Sequence, residues 1–150
     1  MTDTQTKSHR SWNMSRIRGK DTQPELLVRS LLHGMGVRFR LQGRVSVRLH
    51  PKGVLPGKPD VVMAGRRTVV FVHGCFWHRH PGCKVATMPS SNVGFWQAKF
   101  ARNVENDRKH RAALLALGWK VVALWECELK DRRRLEARLR RRLGIKKARS

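Results

Sequence analysis

Four consecutive apolar residues, Val69 to Val72, run directly into the segment HGCFWHRHPGC at residues 73–83. An unbroken run of β-branched and aromatic residues predicts a central strand that is buried on both faces. The segment after it contains three His, two Cys and two aromatic residues. The chain must therefore fold around a central strand that places a chemically reactive loop at one edge of a sheet.

The first half of the chain alternates between clear element signals and a long turn region. Thr22 and Glu25 form a capping-box pattern at the start of a helix, and Gly34 and Gly36 mark its end. Alternating apolar and basic residues predict a strand over residues 37–42. Residues 43–59, rich in Gly and Pro, predict a loop or loose hairpin before strands at 60–63 and 68–73.

The second half predicts two helices around one more buried strand. Residues 95–117 have helical period, with Phe100, Val104, Arg111 and Leu115 near one line, and a strand follows at 119–126. Asp131 is the predicted cap of a last helix that Gly144 ends. The order α, β, β, β, α, β, α predicts a single α/β domain with a central mixed sheet flanked by helices.

Charge limits the partners of this chain. It has 33 basic and 10 acidic residues, a formal net charge of +23, while 40% of its residues are hydrophobic. Such a charge disfavours a compact chain unless a polyanion neutralises it, so nucleic acid is the leading partner. An anionic membrane surface is the weaker alternative, since no apolar run is long enough to span a bilayer. We expect a cytoplasmic, nucleoid-associated protein, because no apolar leader is visible.

The cysteines suggest a metal site. The three Cys residues are an odd number, which disfavours a disulfide framework. Cys75, His80 and Cys83 have the short spacing of zinc ligands, and Cys127 at the end of a buried strand can supply the fourth. The alternative is three unrelated buried thiols, and His73 or His78 are alternative histidine ligands.

Carboxylates and histidines form a candidate catalytic set. Asp60 opens an apolar strand, and a carboxylate at a strand end can hold the hard cation that phosphodiester cleavage uses; the alternative is an acid in a turn. Asp107 lies near the inward face of its helix and needs a partner. Glu25 is either a capping residue or catalytic. His73 and His78 titrate near neutral pH and can transfer protons.

The aromatic residues of the loop have two interpretations. Phe76 and Trp77 are adjacent, and Trp96 lies at the start of a helix. In a strongly basic protein, protruding aromatic side chains can stack on bases or wedge between base pairs. Met14 and Ile17 in the basic N-terminal segment can do the same. The alternative is ordinary packing around the metal loop.

Several motifs together resemble one known family. LPGKPD, VFVHGCFWHRHPGC, FWQAKFARNVENDRKH and LGWKVVALWECEL, with SRIRGKDTQPE near the start, resemble the very-short-patch repair mismatch endonucleases (Vsr) over roughly residues 10–130. The resemblance implies a restriction-endonuclease-like fold with a structural zinc ion. It also implies a magnesium-dependent enzyme that nicks one strand of double-stranded DNA 5′ to the T of a T·G mismatch, which arises when 5-methylcytosine deaminates.

The resemblance also assigns residue roles. Asp60 and the main-chain carbonyl of Val72 would bind magnesium, and His73, His78, Asp107 and Glu25 would complete the catalytic site. The implied zinc ligands are Cys75, His80, Cys83 and Cys127. The implied DNA-binding residues are Met14, Ile17, Phe76, Trp77, Trp96 and Asn103. We expect a monomer with a basic DNA-contacting arm at 1–20, an endonuclease domain at 21–143 and a basic tail at 144–150.

The sequence also departs from the family pattern. Val72 replaces a Thr, which leaves a carbonyl ligand unchanged, and residues 43–54 form a longer segment than expected. The end of the chain, from Arg132 to Arg149, is more basic than expected. A restriction or junction nuclease acting on other DNA, and a non-catalytic zinc-stabilised DNA-binding module, are the alternative functions.

Overall fold

The predicted central strand lies at the centre of the sheet. A computed structural model describes residues 22–84 and 86–146, and the predicted arm with Met14 and Ile17 lies outside them, as does most of the tail. The helices are α1 (Gln23–Gly34), α2 (Val93–Ala116) and α3 (Arg132–Leu143). The strands are β1 (Arg40–Leu41), β2 (Val61–Met63), β3 (Thr68–His73) and β4 (Lys120–Trp125). The predicted element order is confirmed for these residues.

The sheet is mixed, as predicted, with strand order β1-β2-β3-β4. β2 pairs antiparallel with both β1 and β3, while β3 and β4 are parallel. Parallel strands need a crossover connection, and α2 provides it. The register pairs His73 with Trp125, so the loops that follow β3 and β4 leave the sheet at the same edge.

Alternation along the strands divides the core between the two faces of the sheet. Val61, Met63 and Val70 face α1 and α3, which contribute buried residues such as Leu32 and Leu139. Val62, Val69 and Val121 face the other way. There they pack against Leu114 of α2 and against Val45 and Leu55 of the 43–55 segment, where Arg44 and Val54 form an antiparallel bridge. That segment is therefore a loose hairpin that covers the sheet.

The terminal signals of α1 and α3 are confirmed. In α1, Thr22 and Glu25 make both hydrogen bonds of a capping box. In α3, the Asp131 side chain accepts from the Arg134 N–H, and Gly144 ends the helix with φ of 67°. Only glycine adopts that left-handed conformation without steric cost.

The apolar line expected on α2 is wrong in part. Phe100 is buried, but Val104 and Leu115 are 46% and 50% exposed, and Leu114 is fully buried instead. The helix also begins earlier than expected, at Val93. Its buried residues are Phe100 near one end and Leu114 near the other, so a continuous stripe is not required.

The helices have another common property. Among the described residues, none of the helices is both long and apolar enough to cross a membrane.

Candidate active site and metal centre

A cleft of about 430 Å³ lies where α1 begins, β2 begins and β3 ends. Five residues singled out in the sequence as catalytic line it, together with Val72 and Asn103. These five are Glu25, Asp60, His73, His78 and Asp107. The antiparallel pairing of β2 with β3 explains the convergence, because the start of one strand lies beside the end of the other.

Asp60 is held by the central strand. Its Oδ2 accepts a hydrogen bond of 2.6 Å from the Val72 N–H. Burial and the neighbouring carboxyl group of Glu25 raise the pKa of Asp60 to about 7. A nearby cation would reverse this effect by favouring the charged form. The surroundings of Asp60 therefore favour the binding of a cation next to its carboxyl group.

Glu25 makes the capping box and also lies in the cleft. It is 5% exposed, and its Oε2 accepts a hydrogen bond of 3.1 Å from the Thr22 N–H. Arg29 lies 3.6 Å from the same carboxylate oxygen. The capping box therefore fixes Glu25 at the N-terminus of α1, where it also lines the cleft beside Asp60.

The two cleft histidines are next to each other. The rings of His73 and His78 have their centroids 4.2 Å apart, and His78 Nδ1 lies 2.6 Å from Asp107 Oδ2. Burial, and then the proximity of His78, lower the pKa of His73 to about 4. At neutral pH His73 is therefore an uncharged proton acceptor, while His78 is oriented by a carboxylate partner.

The predicted metal ligands also converge. Cys75, His80, Cys83 and Cys127 each offer a ligand atom, and all four atoms lie within 4.8 Å of one another. His80 Nδ1 is 3.7 Å from Cys75 Sγ and 3.3 Å from Cys127 Sγ. The thiols form one cluster rather than three unrelated sites, and His80 rather than His73 or His78 completes it. This cluster can bind a metal ion.

The metal cluster and the cleft share one supporting side chain. Trp125, the last residue of β4, stacks on His80 at 4.3 Å with an interplanar angle of 12°. The same indole contacts His73 at 5.1 Å between centroids.

Removal from water raises the pKa of the Cys75 thiol to about 12. A bound metal ion is what would hold such a buried sulfur as thiolate.

The aromatic residues form a partly exposed cluster beside the cleft. Phe76 contacts Trp77, Trp96 and Phe100 at centroid distances of 5.1, 5.8 and 5.1 Å. Trp77 and Trp96 are 5.9 Å apart and neither is buried. Asn103 Nδ2 donates a 3.1 Å hydrogen bond to the Trp77 carbonyl, which ties the loop to α2.

Arg79 was missed by the sequence reasoning. Its guanidinium donates hydrogen bonds to the carbonyls of Phe76, Ala86 and Thr87 at 3.3, 2.9 and 3.0 Å. It also lies 4.1 Å from the ring centroid of Phe100. Arg79 thus holds the metal loop against the aromatic cluster, and no local pattern in the sequence marks it for that role.

Four further polar residues of the cleft were also missed: Gln42, Lys58, Asn106 and His110. Of these, Asn106 and His110 carried a usable signal. They follow Asn103 at helical spacing, so one face of α2 presents a row of polar side chains to the cleft. His110 also packs closely on Gly57, where an added Cβ would come within 2.8 Å of the ring.

Comparison with known proteins agrees with this geometry. A family model described as DNA mismatch endonuclease Vsr matches residues 2–84. The type II nicking enzyme V.XorIIP of Xanthomonas oryzae pv. oryzae is 48% identical over 140 residues, which is 93% of this chain and 96% of that protein. DNA mismatch endonuclease Vsr of Escherichia coli K12 is 42% identical over 135 residues, which is 90% of this chain and 80% of that protein.

A second nicking enzyme gives a similar result. V.NmeAIP of Neisseria meningitidis is 43% identical over 141 residues, 94% of each chain. The cleft and these matches define the class of the protein as an endonuclease. More narrowly, the chain belongs to the DNA mismatch endonuclease Vsr family. The resemblance found in the sequence is confirmed.

The raised pKa of Asp60 predicts a pH effect on stability. Between pH 4 and about 7 the folded protein keeps a proton that the unfolded chain has lost, so this group's stabilising contribution is lost as the pH rises. The free energy of unfolding of Asp60→Asn, relative to wild type, should therefore increase by about 2 kcal/mol from pH 5 to pH 8. Urea unfolding without added magnesium measures it, and taking the difference cancels the contribution of His73.

Glu105→Gln is the control, because Arg108 lowers the pKa of that exposed carboxyl and no such gain should occur. Added magnesium should shrink the gain of Asp60→Asn. An unchanged difference between pH 5 and pH 8 would show that Asp60 is not protonated in the folded protein.

Proposed function

We propose that the protein nicks one strand of duplex DNA 5′ to the T of a T·G mismatch, as the first step of very-short-patch repair after deamination of 5-methylcytosine. The observation that carries this proposal is the cleft, where Asp60, Glu25 and the pair His73 and His78 converge beside an aromatic cluster. Membership of the Vsr family supports the choice of DNA as substrate.

The residues of the cleft fit a magnesium ion. Asp60 and the Val72 carbonyl would hold it, since Mg²⁺ prefers oxygen ligands from one or two carboxylates and keeps several waters. Bound there, it would supply charge stabilisation at the scissile phosphate and activation of the attacking water. The Val72 N–H keeps Asp60 oriented through its 2.6 Å hydrogen bond, and Glu25 adds a second negative charge.

The histidines divide the proton transfers. His73 is neutral at working pH because burial disfavours its charged form, so it can accept a proton from water. His78 is held by Asp107, and that pair can deliver a proton to the oxygen that leaves. Asn103, by binding the Trp77 carbonyl, positions the loop that carries His78.

The Cys/His cluster fits a structural zinc ion. A tetrahedral zinc with Zn–S near 2.3 Å sets ligand separations of roughly 3.5–3.8 Å, close to those around His80. Four protein ligands leave no open position for water, as in structural sites.

We assign the domain to the restriction-endonuclease-like fold. Helices on both faces of a mixed sheet, and an acidic residue at a strand end, support this assignment.

The remaining parts of the chain would grip DNA. We assign residues 1–20, with Met14 and Ile17, to an arm that contacts the DNA, residues 21–143 to the endonuclease domain and residues 144–150 to a basic tail. Phe76, Trp77 and Trp96 would wedge beside the mismatch, where a wobble pair is stacked less well than a matched pair. Their partial exposure and the edge-to-face contacts of Phe76 with both indoles fit this role.

Removing one thiolate tests the zinc site. Cys127→Ser should lose the zinc ion and lower the Tm by roughly 10 °C or more, because structural zinc contributes folding free energy and each kcal/mol is worth about 2–4 °C. Metal analysis and thermal unfolding measure both effects. Lys84→Ser, an exposed change in the same loop, should keep the zinc and the Tm. A wild-type protein without zinc would refute the assignment.

Asp60→Ala tests the catalytic assignment. The variant should lose nicking by at least about 10³-fold yet bind DNA, because binding depends mainly on cationic contacts to phosphates. The measurement is magnesium-dependent nicking of labelled duplexes that carry a T·G pair, each other mismatch, or none. Glu105→Ala, which removes an exposed carboxylate outside the cleft, is the control and should nick normally. Equal nicking of matched and mismatched duplexes would indicate a restriction-type nuclease, and binding without any nicking a non-catalytic module.

The wedge is tested by Trp96→Ala. It should reduce the preference for T·G over matched duplex by roughly 10-fold or more, since stacking on a base is worth about 1–3 kcal/mol. Fluorescent base analogues beside the mismatch report unstacking directly. Leu117→Ala, which truncates an exposed apolar side chain at the far end of α2, should leave the preference intact. Preserved discrimination in a folded Trp96→Ala protein would make Trp96 a packing residue.

A further inference from the structure

Helix α3 carries an unusual excess of positive charge. Seven of its twelve residues are Arg, in the sequence RRRLEARLRRRL. Its Leu135, Leu139 and Leu143 are buried in the core, so the remaining faces are the ones that present these charges. Apart from Glu136, the acidic residues just before the helix are Glu126, Glu128 and Asp131, and of these only Glu128 and Asp131 line the groove described next. The catalytic assignments make no use of this surface.

Three arginines of α3 and the lysine that precedes the helix line one groove. Lys130, Arg134, Arg138 and Arg141 line a cavity of about 330 Å³ with Cys127, Glu128, Asp131 and Leu135. Arg134, Arg138 and Arg141 follow one another at spacings of four and three, so they form a line along one face of the helix. We call this surface the arginine groove.

The acidic residues of the groove are already engaged. Glu128 forms an ion pair with Arg138 and accepts a hydrogen bond from the Trp125 N–H. Asp131 caps the helix by accepting from the Arg134 N–H at 3.1 Å. Lys130 and the guanidinium groups of Arg134 and Arg141 are exposed, and within the described residues they form no ion pair with a carboxylate. Three cations are therefore available to an external anion.

The arrangement opposes the helix's own electrostatics. Arg132, Arg133 and Arg134 occupy the first turn, where the helix dipole favours negative charge. Like charges at spacings of three and four repel each other as well. A solvated surface does not require charges in these positions, whereas a bound polyanion would offset both repulsions.

The groove begins beside the metal cluster, and the helix that carries it is fixed at its other end. Cys127, one of the clustered thiols, is among its lining residues. At the other end of α3, Arg66 donates a 2.8 Å hydrogen bond to the Leu143 carbonyl, which fixes the helix to the turn between β2 and β3. The cleft and the metal cluster lie at the edge where β3 ends, and that turn lies at the opposite edge. The line of arginines therefore leads away from the cleft.

We propose that the arginine groove binds the phosphate backbone of duplex DNA flanking the nick site, on one side of the mismatch only. The proposal rests on the proposed function only in taking DNA as the ligand. The Cα atoms of Arg134 and Arg141 are about 10 Å apart along the helix. Along the duplex axis that length corresponds to about three nucleotide steps of one strand. Arg is suited to such contacts because its planar group binds phosphate through two parallel hydrogen bonds.

The test is the double variant Arg134→Gln/Arg141→Gln, which removes two cations without breaking an ion pair. Its control, Lys109→Gln/Lys120→Gln, removes the same charge from exposed positions outside α3 and outside the groove. Affinity for a matched duplex is measured by fluorescence anisotropy over a range of salt concentrations. The groove variant should bind roughly 10- to 60-fold more weakly at 0.1 M salt, with a salt slope reduced by about 1.8.

Shortened duplexes then locate the contact. On duplexes that carry one T·G pair to fix the register, the deficit of the groove variant should disappear when the DNA is shortened on one side of the mismatch and persist when it is shortened on the other. Thermal unfolding verifies that both variants are folded. An equal loss in the control variant, a deficit that persists on both shortened duplexes, or unchanged affinity would overturn the proposal. If the wild-type protein never nicks DNA but the groove variant still binds DNA more weakly than wild type, the arginine groove is supported and the proposed function is refuted.

Discussion

The parallel pairing of β3 with β4 is the constraint on which the other features depend. Its register aligns His73 with Trp125, so both strands end together. The loop after β3 carries Cys75 and His80, and the turn after β4 carries Cys127. A metal cluster whose ligands are up to 52 positions apart in the chain can form only because of this alignment. Shifting the register by one residue would also move every strand side chain to the opposite face.

Trp125 shows how closely structure and chemistry are joined at this edge. Its indole stacks on His80 of the metal cluster and also contacts His73 of the cleft. The loop that carries Cys75 and His80 is thus a structural support whose position fixes where the cleft histidines His73 and His78 lie. Arg79 adds a second connection, since it binds loop carbonyls while stacking on Phe100 of α2. A change in the loop would therefore be felt in the cleft and in the aromatic cluster together.

The electrostatics of the molecule are divided between two kinds of site. In the cleft, buried carboxyl groups lie close enough to raise the pKa of Asp60, which favours the binding of a cation. On α3, unpaired cations are concentrated on exposed faces, which favours the binding of an anion. A nuclease needs both, because the phosphate backbone must be attracted over a wide surface and yet meet a metal ion at one point.

The sequence by itself determined the elements and the chemical types. Capping residues, glycine stops and period-two or helical patterns act between near neighbours, so the order of helices and strands was predicted correctly from Thr22 to Gly144. The Cys, His, Asp and Glu residues that form the cleft and the metal cluster were also identified, with the exception of His110, because few other residue types can bind metals or transfer protons. The motifs that contain these residues also identified the family.

Only the tertiary structure decided which groups meet. Asp60 and the Val72 N–H, or His78 and Asp107, are brought together by strand register and by the crossover through α2. Local periodicity misplaced Val104 and Leu115 in the core, since α2 buries residues at two points rather than along a stripe. Arg79 and the arginine groove had no local signature either. Contacts between distant residues depend on packing geometry, which pattern and composition do not contain.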